Sequence, residues 1–176
     1  ARAMNDACLE DESTMAAILG MNDEEVKKIC QDLDNIEPAN FNCPGQVVIS
    51  GSSKNMSNAC NVFKDNGAKA IPLKVGGGFH SIFMEPAKSR LEDAIMSTKF
   101  VKPDAPIYQN VNSKKNEDIE IIKQNLVKQL TSPVLWTQTI ENMIYDEIDL
   151  FIECGPGKVL QGLVKKINRK VSTESI

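Results

Sequence analysis

The chain has a single histidine, His80, and the residues around it invite chemistry. It follows three consecutive glycines, Gly76, Gly77 and Gly78, and precedes a strong helical pattern. Successive glycines admit positive φ and let a ligand come close to the backbone. Pro86 suits a first helical position and Glu85 the positive end of the helix dipole. From there Ala87, Leu91, Ala94, Ile95 and Thr98 trace one face at helical spacing. His80 is thus predicted in a loop that opens a helix, where a neutral imidazole can move a proton near neutral pH. The plainer reading is a hydrogen-bonded structural histidine, and these residues alone leave both open. A metal site has little support, because no carboxylate or thiolate companions stand at ligand spacing and neither C-x-x-C nor H-x-x-x-H occurs.

A base needs a nucleophile, and none stands out. Ser81 adjoins His80, but neighbouring residues rarely aim their side chains at one another in catalytic geometry. The nucleophile elbow G-x-S-x-G is absent from all 176 positions. Gly155-Pro156-Gly157-Lys158 follows a strand as a phosphate loop would, yet Val159 stands where that motif needs a hydroxyl, so a tight strand-to-helix turn is the better reading. The run Gly76–Gly78 lacks the G-x-G-x-x-G spacing of a dinucleotide site.

The elements that must position His80 read as follows. Residues 1–14 are polar and uninformative, and Met15–Met21 is a buried strand bounded by Gly20 and Asn22. Asn22 with Glu25 makes a capping box for a helix that buries Val26, Ile29, Cys30 and Leu33. Phe41 and Val47–Ile49 lie on two strands joined at Pro44-Gly45. Ser52 or Ser53 starts a second helix with Met56, Ala59, Cys60 and Phe63 inward, Gly67 ends it, and Ala70–Val75 is a further strand. Strand–helix–strand–strand–helix–strand is the ferredoxin-like split βαβ order, a statement about fold and not function. Downstream come a strand at Ile107–Val111, a helix striped by Ile119, Ile122, Leu126 and Leu130, and another striped by Trp136, Ile140, Met143 and Ile144. A strand at Asp149–Cys154 and a helix carrying Leu160, Leu163, Val164 and Ile167 follow, with a frayed tail beyond Arg169. The alternation implies parallel pairing and an α/β layer architecture.

The length suits one domain or two small ones with a real core. A net charge of −4 with scattered basic residues argues against a nucleic-acid surface. The one basic cluster, Lys165, Lys166, Arg169 and Lys170, reads as a solvated last helical turn. Five cysteines form an odd set without framework spacing, and Cys30 and Cys60 fall on apolar helix faces as small hydrophobes of a reducing compartment. No apolar run approaches about 18 residues, so no membrane span is predicted and a cytoplasmic location is expected.

Four stretches carry a resemblance: Phe41–Gly51 (FNCPGQVVISG), Leu73–Ala87 (LKVGGGFHSIFMEPA), Leu126–Trp136 (LVKQLTSPVLW) and Glu153–Leu160 (ECGPGKVL). In this order and spacing the sequence resembles the malonyl-CoA:acyl carrier protein transacylases, the acyltransferases of fatty-acid synthesis, over nearly its whole length. The resemblance implies a ferredoxin-like small domain (βαββαβ) over residues 1–75, with 76–176 as the C-terminal part of an α/β-hydrolase-like acyltransferase domain. It implies a ping-pong transfer of malonyl from coenzyme A to the phosphopantetheine thiol of acyl carrier protein. His80 matches the family's catalytic histidine, Gln129 the residue whose backbone carbonyl orients that ring, and Asn110 a pocket position near it. The coenzyme A thioester is the substrate, and no cofactor, metal, nucleic acid or membrane is implied.

By the same resemblance the nucleophilic serine, the oxyanion-hole glutamine and the arginine that clamps the malonyl carboxylate fall upstream of Ala1, with Arg2 as a neighbouring basic position. The chain alone is therefore expected to lack transacylase activity, and to self-associate or pair with an N-terminal half through an exposed sheet edge. Two other readings stay open from the sequence: a non-catalytic ferredoxin-like binding or regulatory module with a structural His80, and the acyltransferase domain of a larger synthase.

Overall fold

A computed structural model describes residues 1–176. The chain opens with α1 (Arg2–Glu10), then β1 (Ser13–Leu19), α2 (Asp23–Gln31), β2 (Ile36–Cys43), β3 (Gln46–Ser52), α3 (Ser53–Asp65) and β4 (Lys69–Pro72). The four strands form one antiparallel sheet in the order β2-β3-β1-β4. Asn22 and Glu25 close a capping box on α2, at 2.9 and 3.2 Å, and Ser52 caps α3 by accepting from Asn55 N at 3.3 Å. Both caps satisfy amides that a helix start leaves without partners.

Alternation along the strands divides the sheet into two working faces. Ala16, Ile18, Val47 and Ile49 point to α2 and α3 and meet Val26, Cys30, Met56, Ala59, Cys60 and Phe63. The opposite face presents Met15, Ala39 and Val48, against which Leu73 and Phe79 pack. That second face is the floor of the loop carrying His80. Strand β4 ends at Pro72, short of the predicted Val75; Leu73 N still donates to Met15 O at 2.9 Å before the chain turns toward the glycine run.

The glycine run leads to a 3-10 helix (Ile82–Ala87) that passes directly into α4 (Lys88–Ser97). Pro86 thus lies inside the 3-10 turn and not at the start of the α-helix. On the predicted face, Ala87 and Ile95 are buried, whereas Ala94 and Thr98 are exposed. Residues 2–10 also differ from the polar, uninformative segment expected of them. Ala3, Met4, Ala7 and Cys8 make an apolar stripe on α1 that packs with Met84, Ala87 and Leu130 of the second half. The first ten residues therefore side with the downstream elements, and not with the sheet that follows them.

Beyond α4 lie β5 (Ile107–Tyr108), paired antiparallel with β6 (Lys115–Asn116), then α5 (Ile119–Lys128), a 3-10 turn (Gln129–Thr131) and α6 (Trp136–Tyr145). The strand predicted over Ile107–Val111 is thus only two residues long. The turn into α6 is tied to the edge of β2: Phe41 N donates to Val134 O and Val134 N to Ala39 O, both at 2.8 Å. Covering a strand edge in this way satisfies its free amides and carbonyls.

The chain closes with β7 (Leu150–Glu153), α7 (Val159–Ile167) and β8 (Ser172–Ser175). The expected fraying beyond Arg169 is not found. Strand β8 runs parallel to β7 from Leu150↔Ser172 to Glu153↔Ser175, and Val171 is buried beside Ile140 and Val164. Backbone bonds to a partner strand and one buried valine hold a terminus that composition alone leaves free. The architecture is α/β, and no helix is long and apolar enough to cross a membrane.

Candidate active site

His80 sits half-buried at the end of the glycine loop, with Nδ1 3.1 Å from the backbone carbonyl of Gln129. A carbonyl oxygen only accepts, so this contact places the proton on Nδ1 and leaves the Nε2 lone pair as the acceptor. Gln129 opens the 3-10 turn that ends α5, and its own side chain pins that turn by donating from Nε2 to Ser132 O at 2.8 Å and Pro133 O at 3.3 Å. A carbonyl at a helix end lacks a continuing helical partner and is free to take the imidazole.

His80 itself adopts φ +58°, a left-handed conformation that few non-glycine residues take. None of Gly76, Gly77 or Gly78 has a positive φ, contrary to the role expected of them. Two are needed for space. A Cβ on Gly77 would stand 2.2 Å from Cys8 Sγ on α1, and one on Gly78 would stand 2.7 Å from Ser50 Oγ and 3.0 Å from Ser13 Cβ. A Cβ on Gly76 would meet nothing within 4 Å. Gly78→Ala should therefore destabilise the fold by about 1–3 kcal/mol through overpacking. Gly76→Ala, by contrast, should stay within about 0.5 kcal/mol of the parent in urea denaturation. Equal costs at the two positions would contradict the packing described.

Ser81, adjacent to the histidine, turns away from it: its hydroxyl lies in the interior, donating to Gly78 O and accepting from Ser50 Oγ. It is no nucleophile for His80. Cys30, Cys43 and Cys60 are buried, and burial pushes all three thiols up, Cys30 to about 12, so they stay protonated and unreactive.

A cavity of about 420 Å³ opens beside Gln129, lined by Asn110 together with Tyr108, Gln109, Asn125 and Leu126. Asn110 anchors this wall through its carbonyl, which accepts from Leu135 N at 2.9 Å. Gln109 and Asn125 are buried and bonded to each other at 2.9 Å. Tyr108 donates to the Asp146 carboxylate; burial and that contact push its phenol up to about 12, while Asp146 is held below the ordinary carboxylate range by the Tyr108 hydroxyl and by Lys115. The structure thus joins His80 to Gln129 directly, and Asn110 to Gln129 across one cavity.

The turn Gly155–Lys158 is no anion cradle. The Glu153 carboxylate already accepts from Leu160 N and Gln161 N, at 3.2 and 3.1 Å, and so fills the helix start where a phosphate would bind. Gly155 and Gly157, at φ +136° and +97°, make the tight turn that their sequence suggested.

The family model of the acyl transferase domain matches residues 2–175. The malonyl CoA-acyl carrier protein transacylase of Bacillus subtilis (strain 168) is 43% identical over 178 residues, covering 98% of this chain and 56% of that protein. The transacylase of the same name from Staphylococcus aureus (strain COL) is 44% identical over 168 residues, covering 93% and 54%. Among solved structures, the malonyl CoA-acyl carrier protein transacylase of Clostridium perfringens superposes with a TM-score of 0.95 at 36% identity, covering 99% of this chain and 56% of that one. A malonyl-transacylase solved in complex with its type II PKS acyl-carrier protein also gives 0.95, at 34% identity, covering 99% and 58%. The chain spans about half the length of the curated relatives it matches.

Proposed function

The chain belongs to the acyl transferase domain family, and from that membership we propose that it supplies the histidine-bearing part of a malonyl-CoA:acyl carrier protein transacylase. The observation that carries the reading is the 3.1 Å contact between His80 Nδ1 and Gln129 O, which prepares Nε2 to accept a proton. A seryl hydroxyl, not among these 176 residues in a G-x-S-x-G setting, is the nucleophile. As its oxygen attacks the malonyl thioester, Nε2 takes the hydroxyl proton. The C–S bond then breaks, and the coenzyme A sulfur leaves with that proton. In the second half-reaction the phosphopantetheine thiol gives its proton to Nε2 and attacks the malonyl ester, and the serine recovers its oxygen and the proton. The Gln129 carbonyl steadies the imidazolium formed in each half, the part a carboxylate plays in a triad. Asn110 helps to line the pocket beside it. No cofactor enters, because the thioester itself is the activated substrate.

The strand order β2-β3-β1-β4 and the succession β-α-β-β-α-β support a ferredoxin-like small domain. Its boundary near residue 75 is kept, with α1 assigned to the larger unit by its packing. Leu150, Ile152 and Leu160, 41%, 48% and 41% exposed, mark an apolar face for further polypeptide carrying the nucleophile or for a second copy. The names of the relatives support acyl carrier protein as the partner, and the free, buried Cys30, Cys43 and Cys60 support a reducing cytoplasmic setting. Residues 1–176 alone should show no turnover of malonyl-CoA onto holo carrier protein, and should sediment above the monomer mass. Turnover by this chain would overturn the division of labour, and a strict monomer would remove the apolar-face assignment.

A further inference from the structure

Three neighbouring strands each hand one polar side chain to the loop that carries His80. From β1, Ser13 Oγ accepts from Gly78 N at 2.8 Å. From β3, Ser50 Oγ donates to Ser81 Oγ at 3.0 Å, and Ser81 Oγ in turn donates to Gly78 O. From β2, Glu37 Oε1 accepts from Ile82 N at 2.8 Å. Glu37 and Ser50 stand directly opposite each other in the sheet, as do Ser50 and Met15. Ser50 and Ser81 are both 0% exposed.

The consequence is unusual constraint on five residues. Gly78, two positions before the histidine, has its amide and its carbonyl both held by hydroxyls; Ile82, two positions after, has its amide held by a carboxylate. Between these anchors His80 sits at φ +58°. A left-handed backbone is unfavourable for a residue with a Cβ and persists only where its surroundings over-determine it. The anchors supply that over-determination, and Gly78 is closed in by the same Ser50 and Ser13.

We propose that Ser50 and Ser81 are positioning residues for His80: their buried hydroxyl chain holds the turn at 78–82 in the left-handed form that lays the imidazole on the Gln129 carbonyl. The proposal rests on the reading of His80 as the proton acceptor, since it explains how Nε2 is kept free. Ser50 and Ser81 touch no substrate. They act only through the backbone that presents the ring.

One histidine in 176 residues makes the test direct, because a 15N-labelled chain gives a single imidazole in long-range 1H–15N spectra. The parent chain should show the Nδ1–H tautomer, in excess by about tenfold, the ratio that one hydrogen bond of ordinary net strength sets. Ser81→Ala leaves Gly78 O and Ser50 Oγ without partners, so the turn relaxes and the two tautomers should approach equal populations. Ser50→Ala, which keeps the Ser81 bond to Gly78 O, should move the ratio in the same direction by a smaller factor, and is the variant read if Ser81→Ala does not fold. Phe63→Ala, on the far face of the sheet, should lower stability and leave the tautomer of the folded chain unchanged. A folded Ser81→Ala or Ser50→Ala chain with the parent ratio would overturn the proposal, as would an equal shift in Phe63→Ala. Loss of the base role is read separately. If His80→Gln kept full turnover in a nucleophile-bearing protein while Ser81→Ala still shifted the tautomer, the base role would fall and the positioning would stand.

Discussion

His80→Gln should lower kcat/KM for malonyl transfer by about 10²–10⁴-fold in a polypeptide that also provides the nucleophilic serine, the range over which a positioned general base accelerates such steps. Glutamine is the informative replacement. Its amide can still donate to the Gln129 carbonyl, now 3.1 Å from Nδ1, so the local geometry has a means of surviving. What it lacks is a lone pair basic enough to accept the seryl proton at neutral pH. Initial rates at varied malonyl-CoA and holo carrier protein would report the loss in both half-reactions, since the same imidazole serves each. A decrease of less than about tenfold would place the base elsewhere.

Phe63→Ala should remove about 3–5 kcal/mol of stability, the usual result of emptying a large buried aromatic site. Phe63 is 0% exposed on α3 and packs among Ala16, Ile18, Val47 and Ile49 on the helix side of the sheet. Small domains have about 5–15 kcal/mol in total, so the variant should stand near the edge of folding at physiological temperature. The urea midpoint should fall steeply with little change in slope. A loss under about 1 kcal/mol would mean that the helices close over the void, and that the sheet's helix side is softer than its packing suggests. The outcome bears on the site, because the same strands present Ser13, Glu37 and Ser50 on their other face.

Much of the scaffold follows from local pattern. The capping box at Asn22, the inward positions of α2 and α3, and the Pro44-Gly45 turn depend on residues within a few positions of one another, and short-range spacing describes them well. The same holds for the turn at Gly155–Gly157. The errors share a different origin. The β8 strand and the docking of α1 on the second half both depend on partners far away in the chain, which no window of residues contains.

The sequence by itself determined that one imidazole, placed between a glycine run and a helix, is the chain's candidate base, and its motifs pointed to Gln129 as the carbonyl beside it. The tertiary structure alone decided how that ring is held. Gly77 and Gly78 are glycines because Cys8 and Ser50 approach from 69 and 28 positions away, and not because their backbones are left-handed. The left-handed residue is His80, fixed by side chains from three strands that meet only when the sheet forms. Period and capping are short-range properties that a sequence displays directly, whereas close approach and backbone strain arise between segments whose neighbourhood exists only in the folded chain.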